Sequence, residues 1–231
     1  MEGNPYSVET IYDILAEDPK LPPVNYGSHT LKPHSIPHID APAHIVPNGR
    51  TCEAYFSEGR ESCFYGPALM VRLQGASWES VSGQDSLRIW RVSRDELKAG
   101  IVRAGGVDKI PEKLFLTAES APLNEFGMHD PNYILVLEPD AARYLTSFVK
   151  FNAYGTSWKS SDFEPGSRER PVHKILLKQA LLFECLKLDH VPEGRYYLSA
   201  FALPLEGSSE SPVTPVLYSA EELAAGLAAI S

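Results

Sequence analysis

The chain has 231 residues, of which 43% are hydrophobic and 22% are charged, and its formal net charge is −9. These values are ordinary for a globular protein with a sizeable core. The acidic balance and the lack of any basic run argue against nucleic acid or an anionic membrane as a partner, and no apolar stretch reaches the roughly 18 residues of a membrane span. An acidic start is not typical of a signal peptide, and three scattered cysteines favour a reducing cytoplasm.

The first part of the chain, residues 1–65, is rich in proline and loop-forming residues and carries few helix signals. Beyond it, residues 93–106 predict a helix, because Ser93 and Glu96 can form a capping box at its start and Gly105 can close its end. Short, apolar, β-rich runs around this helix predict buried strands over 66–74, 113–117 and 133–137.

Three further helices are predicted in the second half. Residues 139–149 begin with proline, which suits a first helical turn. The run 170–188 is mostly apolar and predicts a long, largely buried helix. A second capping box, formed by Ser219 and Glu222, predicts a closing helix over 219–230. Two strands, interrupted by prolines that place parts of them at sheet edges or bends, are predicted over 195–205 and 212–218.

Strands that alternate with helices predict an α/β fold with a mixed sheet. No shift of composition marks a boundary between domains. Residues 1–231 are therefore predicted to form one domain with an elaborate N-terminal segment.

The most concentrated group of potential metal ligands is residues 34–44, HSIPHIDAPAH, which hold three of the seven histidines. Imidazole and carboxylate bind zinc, manganese or iron. In an extended chain His38 and Asp40 share a face, but His34 would lie roughly 13 Å from His38, so a shared ion requires a bend between them. His44 would be a further ligand or an acid/base. The alternative is a loop of exposed polar residues.

A second pair of candidates lies in the predicted long helix. His173 and Glu184 would be roughly 16 Å apart along its axis, so they reach one ion only if the helix starts after His173 or breaks between them. Glu184 stands in an apolar run, and a buried carboxylate is usually paired or bound to metal. The alternative is a buried salt bridge.

These residues resemble the bacterial kynurenine formamidase and cyclase family of metal-dependent hydrolases. Residues 34–44 match its HxGTHxDxPxH pattern, except that Ile36-Pro37 replaces Gly-Thr. The segment 172–188 is similar to the family's His-to-Glu segment and 196–218 to its closing strands. Residues 1–30 diverge, because the family's early strand and tryptophan are missing. Ser157 stands where the family has an acid.

The resemblance implies a swivelling β/β/α fold with a mixed, barrel-like sheet flanked by helices. It also implies two divalent ions, with zinc expected first and manganese as the alternative. Family members form dimers or tetramers, so a homodimer or homotetramer is expected. One ion would be held by His34, His38 and Asp40, the other completed by His173 and Glu184 with Asp40 or Glu184 bridging, and His44 would be the catalytic acid/base.

The expected function is hydrolysis of an amide-type C–N bond in a small molecule, an aryl formamide or a cyclic amide. Hydroxide generated at the metal would attack the carbonyl, and His44 would pass a proton to the leaving nitrogen. The alternatives are a metal-dependent cyclase or lyase, and a non-catalytic binding protein in which metal pins the N-terminal loop. Among weaker candidates, His129 is interpreted as part of a surface loop, and Trp158 and Asp162 as part of a polar loop that faces either substrate or solvent.

Overall fold

The chain folds around a curled sheet of eight strands with helices packed against it. The computed structural model describes residues 6–15, 20, 22–106, 112–123, 129–163 and 169–230. The strands are β1 (Tyr6–Tyr12), β2 (Tyr26–Leu31), β3 (His38–Asp40), β4 (Tyr65–Leu73), β5 (Glu79–Val81), β6 (Gln84–Val92), β7 (Lys113–Ala118), β8 (Tyr133–Leu137), β9 (Ala153–Thr156), β10 (Leu181–Glu184), β11 (Gly194–Ser199), β12 (Glu210–Pro212) and β13 (Val216–Tyr218). The helices are α1 (Ala54–Ser57), α2 (Arg94–Arg103), α3 (Pro139–Thr146), α4 (Pro171–Leu176) and α5 (Ala220–Ile230).

The large sheet is mixed, with the strand order β12-β3-β10-β9-β7-β4-β11-β13. Its four central strands are parallel, and the outer strands on both sides pair antiparallel. Both faces of its central strands β7, β9 and β10 are buried. Leu69 and Val71 of β4 pack into the core under the helices, whereas Met70 faces a second core, because successive strand side chains alternate between faces. The predicted α/β fold with a barrel-like mixed sheet is confirmed.

Most predicted elements appear where the sequence places them, including β4, β7, β8, α2, α3 and α5. The capping box of α2 makes both of its bonds: the Glu96 N–H donates to Ser93 Oγ at 3.3 Å, and the Ser93 N–H donates to the Glu96 carboxylate at 2.8 Å. The predicted strand over 195–205 ends already at Ser199, and the one over 212–218 is split between β12 and β13.

The predicted long helix over 170–188 is wrong. Only α4 is helical, and β10 follows after a short turn. The turn is held by the Gln179 amide, which donates to the carbonyls of Phe148 and Phe151 at 2.6 and 2.9 Å. All four residues of β10 are buried between β3 and β9, and a strand buried on both faces shows the same unbroken apolar run as a buried helix. The break allows His173 and Glu184 to approach each other.

Near the start of the chain, β1 and β2 form a separate antiparallel pair outside the large sheet. Large apolar side chains on this pair are exposed, among them Tyr6, Val8 and Tyr26. Another small sheet has the order β5-β6-β8. Within the described ranges, no helix combines the length and the hydropathy needed to cross a lipid bilayer.

Candidate metal centre

Three neighbouring strands place four polar side chains on one face of the large sheet. β3 lies between β10 and β12, with His38 directly opposite Glu184 and Asp40 directly opposite Glu210. Opposed residues of an antiparallel pair point to the same side, as do residues two apart in one strand. The strand register therefore gathers one imidazole and three carboxylates into a single cluster.

The residues flanking β3 bend back towards this cluster. A 3-10 turn over Pro33–Ser35 brings His34 Nδ1 to 3.1 Å from His38 Nε2. A second turn over Pro42–His44 brings His44 Nδ1 to 3.9 Å from Asp40 Oδ1. Gly49 packs so closely on this second turn that a Cβ atom would lie 2.5 Å from the Pro42 carbonyl carbon. Proline-started turns thus supply the bend that a shared site requires.

His173 enters the cluster from α4. Its Nε2 lies 3.7 Å from Asp40 Oδ2 and 3.6 Å from Glu184 Oε1. Its Nδ1 donates to Asp162 Oδ2 at 2.7 Å. The backbone N–H groups of Val172 and His173 donate to the same carboxylate at 2.9 Å each. Asp162 therefore fixes both the start of α4 and the orientation of the His173 ring, with Nδ1 turned to Asp162 and Nε2 facing the cluster.

The core of the cluster is almost completely buried, and burial shifts the pKa values of its members. Asp40 and His38 are fully buried, and Glu184 and His173 are each 1% exposed. Burial raises the pKa of Glu184 to about 7. Burial also opposes the charged form of His173, but the neighbouring carboxylates outweigh it and raise the pKa of this imidazole to about 9. Without metal, protons on these two groups offset part of the buried negative charge, and a bound cation would take their place.

Asp40 gives the most direct sign of a missing partner. Both of its carboxylate oxygens are buried, and no group in the described part of the chain donates a hydrogen bond to either. By contrast, Glu184 Oε1 accepts the N–H and the hydroxyl of Ser161 at 2.7 Å each. A buried carboxylate without donors is strongly unfavourable unless a cation binds it. Imidazole nitrogens and carboxylate oxygens surround it, so the residues present fit a divalent metal ion.

The potential ligand atoms form two groups. Within each group all the atoms lie within 4.8 Å of one another, and Asp40 belongs to both groups. All six residues singled out in the sequence meet here. His38 is grouped with Glu184 and His34 with His44, and His34 Nδ1 also lies 3.1 Å from His38 Nε2. Glu210 was missed: it stands in the serine-rich run GSSES, and only the strand pairing of β12 brings it to Asp40. The groups are His38, Asp40 and Glu184, and His34, Asp40, His44 and Glu210.

His44 lies at the edge of the cluster and is partly open to the adjoining cavity, with 20% of its side chain exposed. Its Nδ1 is 3.4 Å from Glu210 Oε2. The Ser209 hydroxyl donates to the same carboxylate oxygen. An Nδ1–H that donates to a carboxylate leaves Nε2 unprotonated and able to accept a proton.

A cavity of about 750 Å³ adjoins the cluster. Its far wall contains His129, whose ring stacks on Trp158 with centroids 4.5 Å apart and planes 18° apart. The interpretation of His129 as a surface-loop residue is therefore wrong, since its side chain is only 11% exposed and lines this cavity. Ser157 also lines the cavity.

The chain is similar in sequence and in fold to several known proteins. No family model matches the chain. The kynurenine formamidase of Salinibacter ruber is 27% identical over 201 residues, which are 86% of this chain and 82% of that protein. Isatin hydrolase A from Labrenzia aggregata aligns with a TM-score of 0.66 and 20% identity over 92% of this chain and 83% of that chain. A predicted metal-dependent hydrolase from Bacillus stearothermophilus aligns with a TM-score of 0.61 and 23% identity, over 92% and 86%.

The solved structures establish the shared fold, and the sequence match extends along most of the chain. The resemblance drawn from residues 34–44 is thereby confirmed: the chain is similar to kynurenine formamidases at about 27% identity over most of its length, and its structural neighbours include metal-dependent hydrolases.

Proposed function

We propose that this chain hydrolyses an amide-type C–N bond of a small aryl formamide or cyclic amide with the help of divalent metal. The observation that carries the proposal is the orphaned, fully buried Asp40 carboxylate, ringed by imidazoles and carboxylates beside a cavity of about 750 Å³. The names of a formamidase and of an isatin hydrolase among the similar proteins both denote cleavage of such a bond, and they support this choice of reaction.

The ligands we assign are those expected from the sequence, with two ions per chain, zinc first and manganese as the alternative. The residues that would hold the ions are His34, His38, Asp40, His173 and Glu184. Asp40 belongs to both groups of ligand atoms and would contribute to holding both ions. A divalent ion there would lower the pKa of water towards about 7 and polarise a carbonyl oxygen.

His44 is assigned as the acid/base. Glu210 accepts its Nδ1–H, so Nε2 is the atom that takes a proton from the attacking water and gives it to the leaving nitrogen. An amide nitrogen is a poor leaving group unless it is protonated, which is why an imidazole beside the cluster matters. Glu210 holds the ring and its tautomer, as the carboxylate partner of a catalytic histidine does in other hydrolases.

The cavity orients the substrate. Its lining is mostly apolar, with Ile36, Pro37, Ile134 and Leu186 among the wall residues. An aromatic amide held against such a wall presents its carbonyl to the buried cluster. Fixing the reacting groups in this way removes much of the entropic cost of bringing them together.

The test starts from metal-free protein that is reloaded with zinc or manganese and assayed with formanilide and isatin. We expect turnover only with metal, one atom of solvent oxygen-18 in the acid product, and at least a hundredfold loss in kcat for His44→Ala at unchanged metal content. A product without solvent oxygen would indicate a cyclase or lyase instead. If the metal-loaded protein hydrolyses neither formanilide nor isatin, the proposal is refuted.

We also propose that the protein acts in the cytoplasm as a homodimer or homotetramer. The exposed apolar side chains of the β1–β2 pair support self-association, because a two-stranded sheet is only marginally stable by itself in water. Analytical ultracentrifugation of the intact chain tests the assembly, and a monomer at micromolar concentration would contradict it.

A further inference from the structure

We propose that Trp158, His129 and Asp189 form a specificity subsite that selects amide substrates with an amine or ammonium substituent remote from the scissile bond. The three residues lie on the cavity wall and outside the ligand cluster. The inference rests on the proposed function for the reaction itself, and it adds the class of substrate that the cavity prefers.

The aromatic part of this wall is rigid. The Trp158 indole N–H donates to the Tyr133 carbonyl at 2.7 Å. Trp78 packs against both, with ring centroids 5.2 Å from Tyr133 and 6.3 Å from Trp158. His129 stacks on Trp158, so the imidazole has a fixed plane within the cavity wall. A wall with so few free rotamers loses little conformational entropy when a ligand binds.

The polar part of the wall has unused hydrogen-bonding capacity. His129 Nε2 lies 3.3 Å from Asp189 Oδ1, and the two side chains are only 11% and 9% exposed. Both ring nitrogens of His129 and the Asp189 Oδ2 atom are buried, with no hydrogen-bond partner in the described ranges of the chain. Buried polar atoms are nearly always paired, and those that are not require an explanation. A ligand group in the cavity would provide one.

The main chain that carries Asp189 is held in place. The Arg72 guanidinium Nη1 donates to the carbonyls of Leu188, Asp189 and Val191 at 3.3, 3.0 and 3.1 Å. This cation therefore serves the backbone of the turn. Asp189 therefore lines the cavity from a fixed backbone.

The chemistry of these atoms defines the ligand. A carboxylate can only accept hydrogen bonds, and burial lowers the pKa of His129, which favours a neutral ring beside it. An amine or ammonium group, with two or three N–H donors, satisfies both residues. Exposed cations also line the cavity, and water screens their charge more than that of the buried carboxylate. These cations make an anionic substituent the competing possibility. They are Lys159, Arg170 and Lys187.

The experiment compares three formanilides that differ only in the meta substituent: methyl, aminomethyl or carboxylate. Wild-type, zinc-loaded protein should show the highest kcat/KM for the aminomethyl compound. Asp189→Asn should lower the aminomethyl-to-methyl ratio of kcat/KM by about tenfold or more, mainly through KM, with zinc content unchanged. His129→Phe keeps the stacking on Trp158 but removes the nitrogens, and it should lower the same ratio. Asp140→Asn, which changes an exposed carboxylate on α3 outside the cavity, is the control and should keep it.

An unchanged ratio in both variants, or a wild-type preference for the carboxylate compound, would overturn the subsite. If no formanilide is hydrolysed, the proposed reaction fails, and the subsite is then tested by calorimetry with 3-(aminomethyl)aniline. Binding that weakens by tenfold or more in Asp189→Asn supports the subsite. Equal binding to wild type and variant refutes it.

Discussion

Asp162→Ala should weaken the metal centre although Asp162 is not itself assigned as a ligand. The carboxylate accepts the backbone N–H groups of Val172 and His173 at 2.9 Å each and the His173 Nδ1–H at 2.7 Å. Hydrogen bonds to a charged group contribute about 1.5–3 kcal/mol each, but they share one carboxylate and do not add fully. We therefore expect metal-free protein to lose about 3–5 kcal/mol of its free energy of unfolding.

The expected loss of metal affinity follows from the orientation of the His173 ring. Without Asp162 the His173 imidazole can rotate and change its tautomer, so Nε2 is no longer held towards Asp40. Loss of such a partner typically lowers metal affinity by about 10–100-fold. Asp162→Asn should lie between wild type and Asp162→Ala, because one amide oxygen can still accept.

Urea denaturation of metal-free protein and zinc titration against a competing chelator measure the two effects separately. Asp130→Ala is the control, since its carboxylate caps a turn by accepting the Asn132 N–H at 2.8 Å, and it should cost less than about 1 kcal/mol at unchanged zinc affinity. If Asp162→Ala binds zinc like wild type, the assignment of Asp162 as the residue that orients His173 is refuted.

Other expectations concern the sheet and its buried lysine. Gly155→Ala should lower the free energy of unfolding, measured by urea denaturation, by about 1–3 kcal/mol, because the added Cβ would lie 2.3 Å from Phe115 Cδ1. Gly226→Ala, in open space on α5, should instead raise it by about 0.5–1 kcal/mol. Equal effects of the two substitutions would contradict this. Burial lowers the pKa of Lys113 below its ordinary 10.5, so the unfolded chain binds more protons and the free energy of unfolding rises with pH between the two pKa values. Lys113→Met should lack this rise, and parallel pH profiles for wild type and variant would refute it. Removing divalent metal with a chelator should lower Tm and zinc should restore it; an unchanged Tm would contradict a stabilising ion.

The local signals in the sequence predicted most of the fold. Capping boxes such as Ser93 with Glu96 depend on residues three apart, so a linear reading finds them. The prediction of a helix over 170–188 failed for the opposite reason. The apolar stretch around Glu184 becomes a strand because β3 and β9 lie on either side of it. That pairing is a tertiary fact, and periodicity within the run does not contain it.

The candidate site shows the same division. His34, His38, Asp40 and His44 lie within one short segment and could be found together. Glu210 could not, because it joins the cluster through its pairing opposite Asp40 across β12 and β3. The sequence singles out the polar loop that contains Asp162, but the role of Asp162 depends on the start of α4. The surface-loop prediction for His129 is wrong because its stacking on Trp158 links positions far apart in the sequence.

The metal centre is tested most directly by the number of divalent ions bound per chain. This number is measured by inductively coupled plasma mass spectrometry on protein purified without any chelator. We predict two ions for the wild type. Asp40→Asn should lose both, because Asp40 belongs to both groups of ligand atoms, while the Asp130→Asn control should keep both. A wild-type protein without bound divalent metal, even after zinc is added, or an Asp40→Asn variant that retains two ions, would contradict the central claim.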